Sequence, residues 1–224
     1  MTNESQGVMD WLRYMQDHAG YLLSLTWGHL VMVFSGLGLA LVVGVPLGVL
    51  CARKEKLAPW ILTAANVIQV LPSLALLALV MIVLGLGFKT IVFSLFLYSL
   101  LPIIRNTYVG LKQVDQGVNE AGIGVGMNMW QLLLRVQLPL SLPFLMAGLR
   151  LAAVIAIGVA TLAPLIGGEG LGREIYAGLN MRNNLKIYAG AIPAALLAIL
   201  ADLLLGRLQD KLKLGRRRQA KVHT

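Results

Sequence analysis

Apolar residues in this chain come in runs longer than a soluble core helix needs, separated by short polar stretches. The runs cover residues 29–52, 57–84, 90–111, 143–166 and 187–208. Each is long enough for a hydrocarbon core that takes ~20 residues at a rise of ~1.5 Å per residue. The pattern predicts an all-α integral membrane protein with about five transmembrane helices. The second run is interrupted by Pro72 and closed by Gly85-Leu86-Gly87, the third contains Pro102, and the fourth has Pro164 near its end. Prolines inside a span free backbone carbonyls, which neighbouring helices or a water-lined cavity must satisfy. Ahead of the first run, Val8, Trp11, Leu12, Met15 and Ala19 recur at helical steps, with Asp10, Arg13, Gln16 and Asp17 between them. That spacing predicts an amphipathic helix along a membrane surface. With acidic Glu4, Asp10 and Asp17 where a basic region would stand, it is not a cleavable signal peptide.

Composition agrees with a membrane protein. The 224 residues are 58% hydrophobic and 13% charged, against ~25% charged in soluble domains. One bundle accommodates this length. The single cysteine, Cys51, allows no disulfide framework within the chain and reads as a small buried apolar residue.

The basic residues set an orientation. With the N-terminus outside, the inner side receives Arg53, Lys54, Lys56, Lys112, Arg135, Arg207, Lys211, Lys213, Arg216, Arg217, Arg218 and Lys221, and the outer side Arg13, Lys89, Arg173, Arg182 and Lys186. Twelve against five is a positive-inside bias. The chain then divides into an extracytoplasmic amphipathic segment (1–28), a transmembrane domain (29–208) with a cytoplasmic loop at 113–139, and a basic cytoplasmic tail (209–224). The tail directly follows a span, so anionic lipid accounts for its charge and no nucleic-acid partner is expected.

The cytoplasmic loop reads as two short helices joined by a turn. Asp115 is placed to N-cap the first, with Glu120 near its positive end. Gly122, Gly124 and Gly126 form the turn, and Asn128 with Gln131 makes a capping box opening the second helix. Met129, Trp130, Leu133 and Val136 offer apolar contact, and Leu138-Pro139 ends the helix. Within it, Glu120-Ala121-Gly122, Gly126 and Val136-Gln137-Leu138-Pro139 are spaced as in the "EAA" loop of bacterial ABC-importer permeases, which the segment resembles. Gly122 and Val136 depart from that pattern by small changes. The resemblance implies the type I importer permease fold and a loop that docks on a separate ATP-hydrolysing subunit through Glu120, Ala121, Gly122, Gly126, Trp130, Leu138 and Pro139.

Further phrases narrow the likeness: Gln69-Val70-Leu71-Pro72-Ser73-Leu74-Ala75, Leu101-Pro102-Ile103-Ile104-Arg105-Asn106-Thr107, Gly148-Leu149-Arg150-Leu151 and Ile166-Gly167-Gly168-Glu169-Gly170-Leu171-Gly172. In this order they resemble permeases of osmoprotectant importers, which carry glycine betaine, carnitine and choline. Permeases for methionine and other amino acids are the near alternative. The likeness implies a bacterial cytoplasmic (inner) membrane location and a second permease copy or paralogue. It also implies a separate extracytoplasmic binding protein, since no substrate-binding domain is fused here.

Quaternary amines are recognised by aromatic cages. Phe93, Phe96, Tyr98, Phe144 and Tyr188 form no evident box, so selectivity is expected on the binding protein. Pro72, Ser73, Pro164, Gly167 and Gly168 are candidates for the pathway and its gate, with the segment 167–186 an outer docking surface. Arg105, Arg150 and Asp202 fall inside spans, so Asp202 is expected to pair with one of the arginines. His18, His29 and His223 are scattered, and His29 is expected at the membrane interface. No Walker phosphate loop is present, so no cofactor is expected on this chain and ATP belongs to the partner subunit. An ion-coupled secondary carrier is the alternative from another class; it calls for more spans or an inverted repeat, plus ionisable groups near mid-membrane, and neither is evident.

Overall fold

The computed structural model describes the backbone of residues 2–222 and the side chains of residues 9–213. Val8, Arg216, Arg217, Arg218, Lys221 and His223 therefore lie outside the described side chains. Every regular element among the described residues is helical: α1 (Thr2–Asp17), α2 (Ala19–Arg53), α3 (Ala58–Val70), α4 (Ser73–Leu84), α5 (Phe88–Lys112), α6 (Gln116–Gly124), α7 (Met129–Leu132), α8 (Leu138–Ala160), α9 (Gly172–Met181) and α10 (Asn184–Val222). A π-turn (Leu133–Gln137) joins α7 to α8, and a 3-10 turn (Ala163–Ile166) follows α8.

Four stretches are long and apolar enough to cross a membrane: Ala19–Arg53, Phe88–Lys112, Met129–Ala160 and Asn184–Lys213. The second run, interrupted at Pro72 as expected, is broken into an elbow. The helices α3 and α4, of 13 and 12 residues, meet at 102°, and neither alone approaches the length of a span. Proline forces the bend. The residue before it is pushed out of the helical region, and both Leu71 (φ −60°, ψ 136°) and Pro72 (φ −56°, ψ 136°) are extended. The Tyr98 hydroxyl on α5 donates to the Leu71 carbonyl at 2.5 Å, satisfying a backbone acceptor at the break.

Three other boundaries move. The helix of the first span starts at Ala19, well before His29, which is fully buried rather than interfacial. Its Nε2 lies 3.2 Å from the Ile157 carbonyl, while its Nδ1 has no partner among the described residues. Leu138-Pro139 does not end a helix. Proline is tolerated in a first helical turn, and the preceding π-turn, with the Leu138 N–H on the Leu133 carbonyl, carries the chain straight into α8. The last helix runs through Val222, so the segment 209–222 continues the helix of the fifth span.

The segment 167–186 is not a plain loop, because it contains α9 packed on α10. The end of α1 docks on the bundle, while its Met9 and Leu12 stay exposed. Tyr14 and Met15 pack with Leu22, Leu25, Leu171, Ala189 and Ala194, and the Tyr14 hydroxyl donates to buried Glu174 at 2.7 Å. Burial and then that bond push the Tyr14 hydroxyl far above the usual phenol range.

The core lies where α2, α5 and α8 meet. Small residues set the spacing, as is usual where lipid gives helices no hydrophobic drive to associate. Gly36, Gly44 and Gly48 on α2 face Leu95, Ile103 and Thr107 of α5, and Gly148 on α8 sits against Pro102 and Asn106. Buried Ser94, Ser99 and Thr107 return their hydroxyls to carbonyls one turn back at 2.7–2.8 Å. A Cβ at Gly48 would come within 2.5 Å of Thr107 Cβ and 2.8 Å of the Ile104 carbonyl. Gly48→Ala is therefore expected to destabilise by ~1–3 kcal/mol, read as a lower melting temperature in detergent. An unchanged melting temperature would mean that α2 and α5 separate freely.

Candidate functional site

The segment between α5 and α8 builds its shape from local hydrogen bonds. Asp115 Oδ1 accepts the Val118 N–H at 3.1 Å and starts α6. Glu120 sits in the middle of this helix rather than in its first turn, where Gln116 Nε2 donates to its Oε1 at 2.9 Å. Gly122 and Gly124 are helical, and only Gly126, at φ +84°, makes the turn. There the Gly126 N–H bonds the Ile123 carbonyl at 2.9 Å and the Met127 N–H bonds the Gly122 carbonyl at 3.1 Å. That paired arrangement closes a helix when the next residue is left-handed. Asn128 then opens α7 with a full capping box: its Oδ1 accepts from Trp130 and Gln131, and its N–H donates to Gln131 Oε1 at 2.9 Å.

Packing decides which side chains face outward. Gly122 is buried because Leu132 lies over it, and a Cβ there would be 2.6 Å from Leu132 Cδ1. Leu133 is buried and Val136 half-buried, so neither offers the contact expected from the sequence. The outward apolar surface keeps the expected Met129 and Trp130 (71% exposed) and adds Ile123, Val125 (76% exposed) and Leu134. Glu120, Ala121, Gly126 and Pro139 are exposed around it, and Leu138 is half-buried. Ile123 and Val125 were not singled out by the sequence, because a glycine-rich stretch reads as a turn when most of it is helix.

Three contacts brace this end of the molecule, one of them joining the segment to α2, one within the segment and one beside it, and none is legible in the sequence. Arg53, at the end of α2, donates from Nη2 to the Met129 carbonyl at 2.8 Å, and its guanidinium lies 5.9 Å from the Trp130 ring centroid, within cation–π range. Gln137 Nε2 donates to Asn119 Oδ1 at 3.0 Å, linking the π-turn to α6. Lys112 pairs with Glu55 of the α2–α3 turn, and this hydrogen bond and charge hold the Glu55 carboxyl below the usual carboxylate range. A concavity of about 630 Å³ opens between these ties, lined by Arg53, Lys112, Asn119, Met129, Leu133 and Gln137. A displacement of α6 and α7 would thus be passed to α2 through Arg53 and to α8 through the π-turn.

Of the three charged residues inside the spans, the structure brings two together. Arg150 donates from Nε to Asp202 Oδ1 at 2.5 Å and from Nη2 to Oδ2 at 2.6 Å, a bidentate bridge from α8 to α10. Gly206 leaves room for the guanidinium, since a Cβ there would lie 3.0 Å from Arg150 Nη1. The pair is part-exposed and sits roughly 18 Å along α8 from Leu138. Arg105 is exposed on α5 and makes no ion pair among the described residues.

The pathway candidates fall at two places. Pro72 and Ser73 are at the elbow, where Leu71, Leu76, Val80 and Tyr98 pack against Ile155 and Val159 of α8. Pro164, Gly167 and Gly168 belong to the turn after α8. That turn is fixed to the α4–α5 corner by the Gly87 N–H on the Ile166 carbonyl at 2.9 Å, and closed on itself by the Gly168 N–H on the Ala163 carbonyl at 2.9 Å. A Cβ on Gly168 would collide with Ile91 and come within 3.0 Å of Ala163. The helix α4 separates the two, with the elbow at its start and the corner bound to the turn at its end.

Comparison with known proteins gives a consistent picture. Residues 44–217 match the family model described as "Binding-protein-dependent transport system inner membrane component". The chain is 48% identical over 194 residues to the carnitine transport permease protein OpuCD of Listeria monocytogenes serotype 1/2a (strain 10403S), covering 86% of this chain and 87% of that one. It is 47% identical over 200 residues to the glycine betaine/carnitine/choline transport system permease protein OpuCD of Bacillus subtilis (strain 168), covering 89% and 87%. It is 45% identical over 206 residues to the osmoprotectant import permease protein OsmW of Salmonella typhimurium, covering 90% and 96%. Among solved structures, an inward-facing MetNI methionine ABC transporter superposes with a TM-score of 0.77 at 21% identity, over 85% of this chain and 95% of that one.

Proposed function

Because the chain belongs to the family of inner-membrane components of binding-protein-dependent transport systems, we propose that it is the permease of an ATP-driven importer for glycine betaine, carnitine and choline. The carrying observation is the 45–48% identity to osmoprotectant permeases over 86–90% of the chain. The likeness to a methionine transporter is at 21% identity and concerns the fold alone. Membership in this family also sets aside an ion-coupled secondary carrier.

In this reading the chain is a multi-pass inner-membrane subunit with the type I importer fold. Its α6–α7 surface docks on a separate ATP-hydrolysing subunit through Glu120, Ala121, Gly126 and Trp130. Gly122 holds that surface in shape from beneath, under Leu132, and Leu138-Pro139 borders it. A second copy or a paralogue closes the pathway, which runs past the elbow at Pro72 and Ser73 and the turn at Pro164, Gly167 and Gly168. An extracytoplasmic binding protein delivers the cargo to α9 and its flanking turns. ATP-driven approach of two nucleotide-binding subunits moves α6 and α7, and the Arg53 contact and the Gln137–Asn119 bond carry that movement to α2 and α8.

The test is uptake into proteoliposomes holding the permease with its ATPase and binding protein. Labelled glycine betaine, carnitine and choline are expected to accumulate only with ATP, and labelled methionine not at all. Accumulation of methionine alone, or uptake without ATP, would overturn the reading.

The orientation has its own test. Cys51 is fully buried and so silent to a thiol reagent. Asn180 on α9 and Lys211 on α10 are both exposed. In intact cells an impermeant maleimide is expected to label Asn180→Cys and to leave Lys211→Cys untouched until the membrane is opened. The reverse pattern would place the α6–α7 surface outside, away from any ATPase.

A further inference from the structure

Near the outer end of the bundle, three segments distant in sequence enclose a second concavity of about 340 Å³, lined by Trp27, Met32, Phe88, Gly167, Gly168 and Glu169. Its volume is in the range of small-ligand sites. Its lining combines two aromatic faces, a polarisable thioether and one carboxylate. Trp27 and Phe88 are 70% and 50% exposed, so their faces are not spent on the core. The Glu169 carboxylate lies against Gly28, where an added Cβ would be 3.8 Å from Oε2, and it makes no ion pair among the described residues.

The site is held by packing and backbone bonds. Phe88 opens α5 directly after Gly87, whose N–H is bound to the Ile166 carbonyl, and Glu169 follows the Gly168 turn bound to Ala163. Beneath Glu169, Gly170 at φ +107° packs on Met32 and His29, where an added Cβ would be 3.1 Å from both Met32 Cε and His29 Nδ1. The backbone that carries Phe88 and Glu169 is therefore fixed before any ligand arrives.

We propose that this concavity is a permease-borne site for the trimethylammonium head of the cargo, occupied after release from the binding protein and before passage inward. It rests on the osmoprotectant reading above. A quaternary ammonium cannot donate hydrogen bonds, so it is recognised by aromatic faces and by an uncompensated negative charge. Glu169 supplies the charge, and Trp27 and Phe88 the faces. The carboxylate of glycine betaine or carnitine points away from Glu169, out through the open side.

The experiment uses the permease–ATPase complex in nanodiscs free of choline lipids, without binding protein, and saturation-transfer NMR on the probe's methyl protons. The probes are tetramethylammonium, glycine betaine, and 3,3-dimethyl-1-butanol as a neutral isostere of choline. Saturable signals are expected for the two ammonium compounds and none for the neutral one. Glu169→Gln is expected to weaken tetramethylammonium binding about tenfold, and Trp27→Leu several-fold, with both variants still co-purifying with the ATPase. Equal binding of the neutral isostere would make the concavity a mere apolar crevice and overturn the proposal. So would unchanged affinity in Glu169→Gln. A parallel series in discs containing phosphatidylcholine separates the other source of this head group. If tetramethylammonium binds only competitively with that lipid while glycine betaine never binds, the site is a lipid site and the proposal falls. Wild-type uptake of glycine betaine without ammonium binding would sink this inference alone, whereas uptake of methionine only would sink the functional reading beneath it.

Discussion

Gly126→Val is expected to leave the chain in the membrane and to abolish uptake. Gly126 holds φ +84°, where a β-branched residue is strained by roughly 1–3 kcal/mol. That is too little to unfold a helical bundle. It is enough to open the Gly126–Ile123 and Met127–Gly122 bonds that fix the angle between α6 and α7. Glu120 and Trp130 would then no longer present one surface to the ATPase. Glu120→Arg is expected to act from the other side, reversing a charge at the exposed centre of α6 while leaving its backbone intact. Gly124→Ala is the control: Gly124 is helical, and an added Cβ would meet nothing within 4 Å. It is expected to transport as the wild type does. Uptake in proteoliposomes and recovery of bound ATPase are the two measurements. If Gly126→Val or Glu120→Arg transported normally with ATPase bound, the docking role of this segment would be wrong.

The contrast between Gly124 and Gly126 shows where sequence reasoning reached and where it stopped. Hydrogen bonds that close over three or four residues were legible: the Asp115 cap and the Asn128–Gln131 box stand where the residue types put them. Length and apolarity likewise marked the spans, because a hydrocarbon core imposes a minimum run regardless of neighbours. The misreadings came where a residue is compatible with two states. Pro139 suits a helix's first turn as well as its end, and the π-turn before it decided the matter. Pro72 marked an interruption but not its size, since the 102° elbow also depends on a hydroxyl from Tyr98, distant in sequence. His29 looked interfacial because it lies beside Trp27, and its burial follows from packing against Ile157 and Gly170. The Arg53–Met129 tie spans 76 residues, and no spacing rule connects residues so far apart. Trp27, Phe88 and Glu169 failed to read as a cage for the same reason.

Breaking the Arg150–Asp202 bridge is expected to reduce uptake several-fold, and unequally from its two ends. The bridge ties α8, which continues from the α6–α7 segment, to α10. Asp202→Asn leaves Arg150 as a lone cation, and a long side chain can reach toward the membrane surface to find water. Arg150→Gln leaves Asp202 instead, whose short side chain cannot move its charge that far, and a charge without a partner inside a membrane is costly. Arg150→Gln is therefore expected to be the more damaging, in uptake and in the yield of folded protein from detergent. The double variant removes both charges and is expected to be no worse than Arg150→Gln alone, a non-additivity that marks direct coupling. Exchanging the two residues, Arg150→Asp with Asp202→Arg, is expected to recover part of the activity. Arg105→Gln is expected to combine additively with Asp202→Asn, since Arg105 stands apart from the bridge. Strict additivity between Arg150 and Asp202 would show that the two side chains act separately and that the bridge carries no motion from α8 to α10.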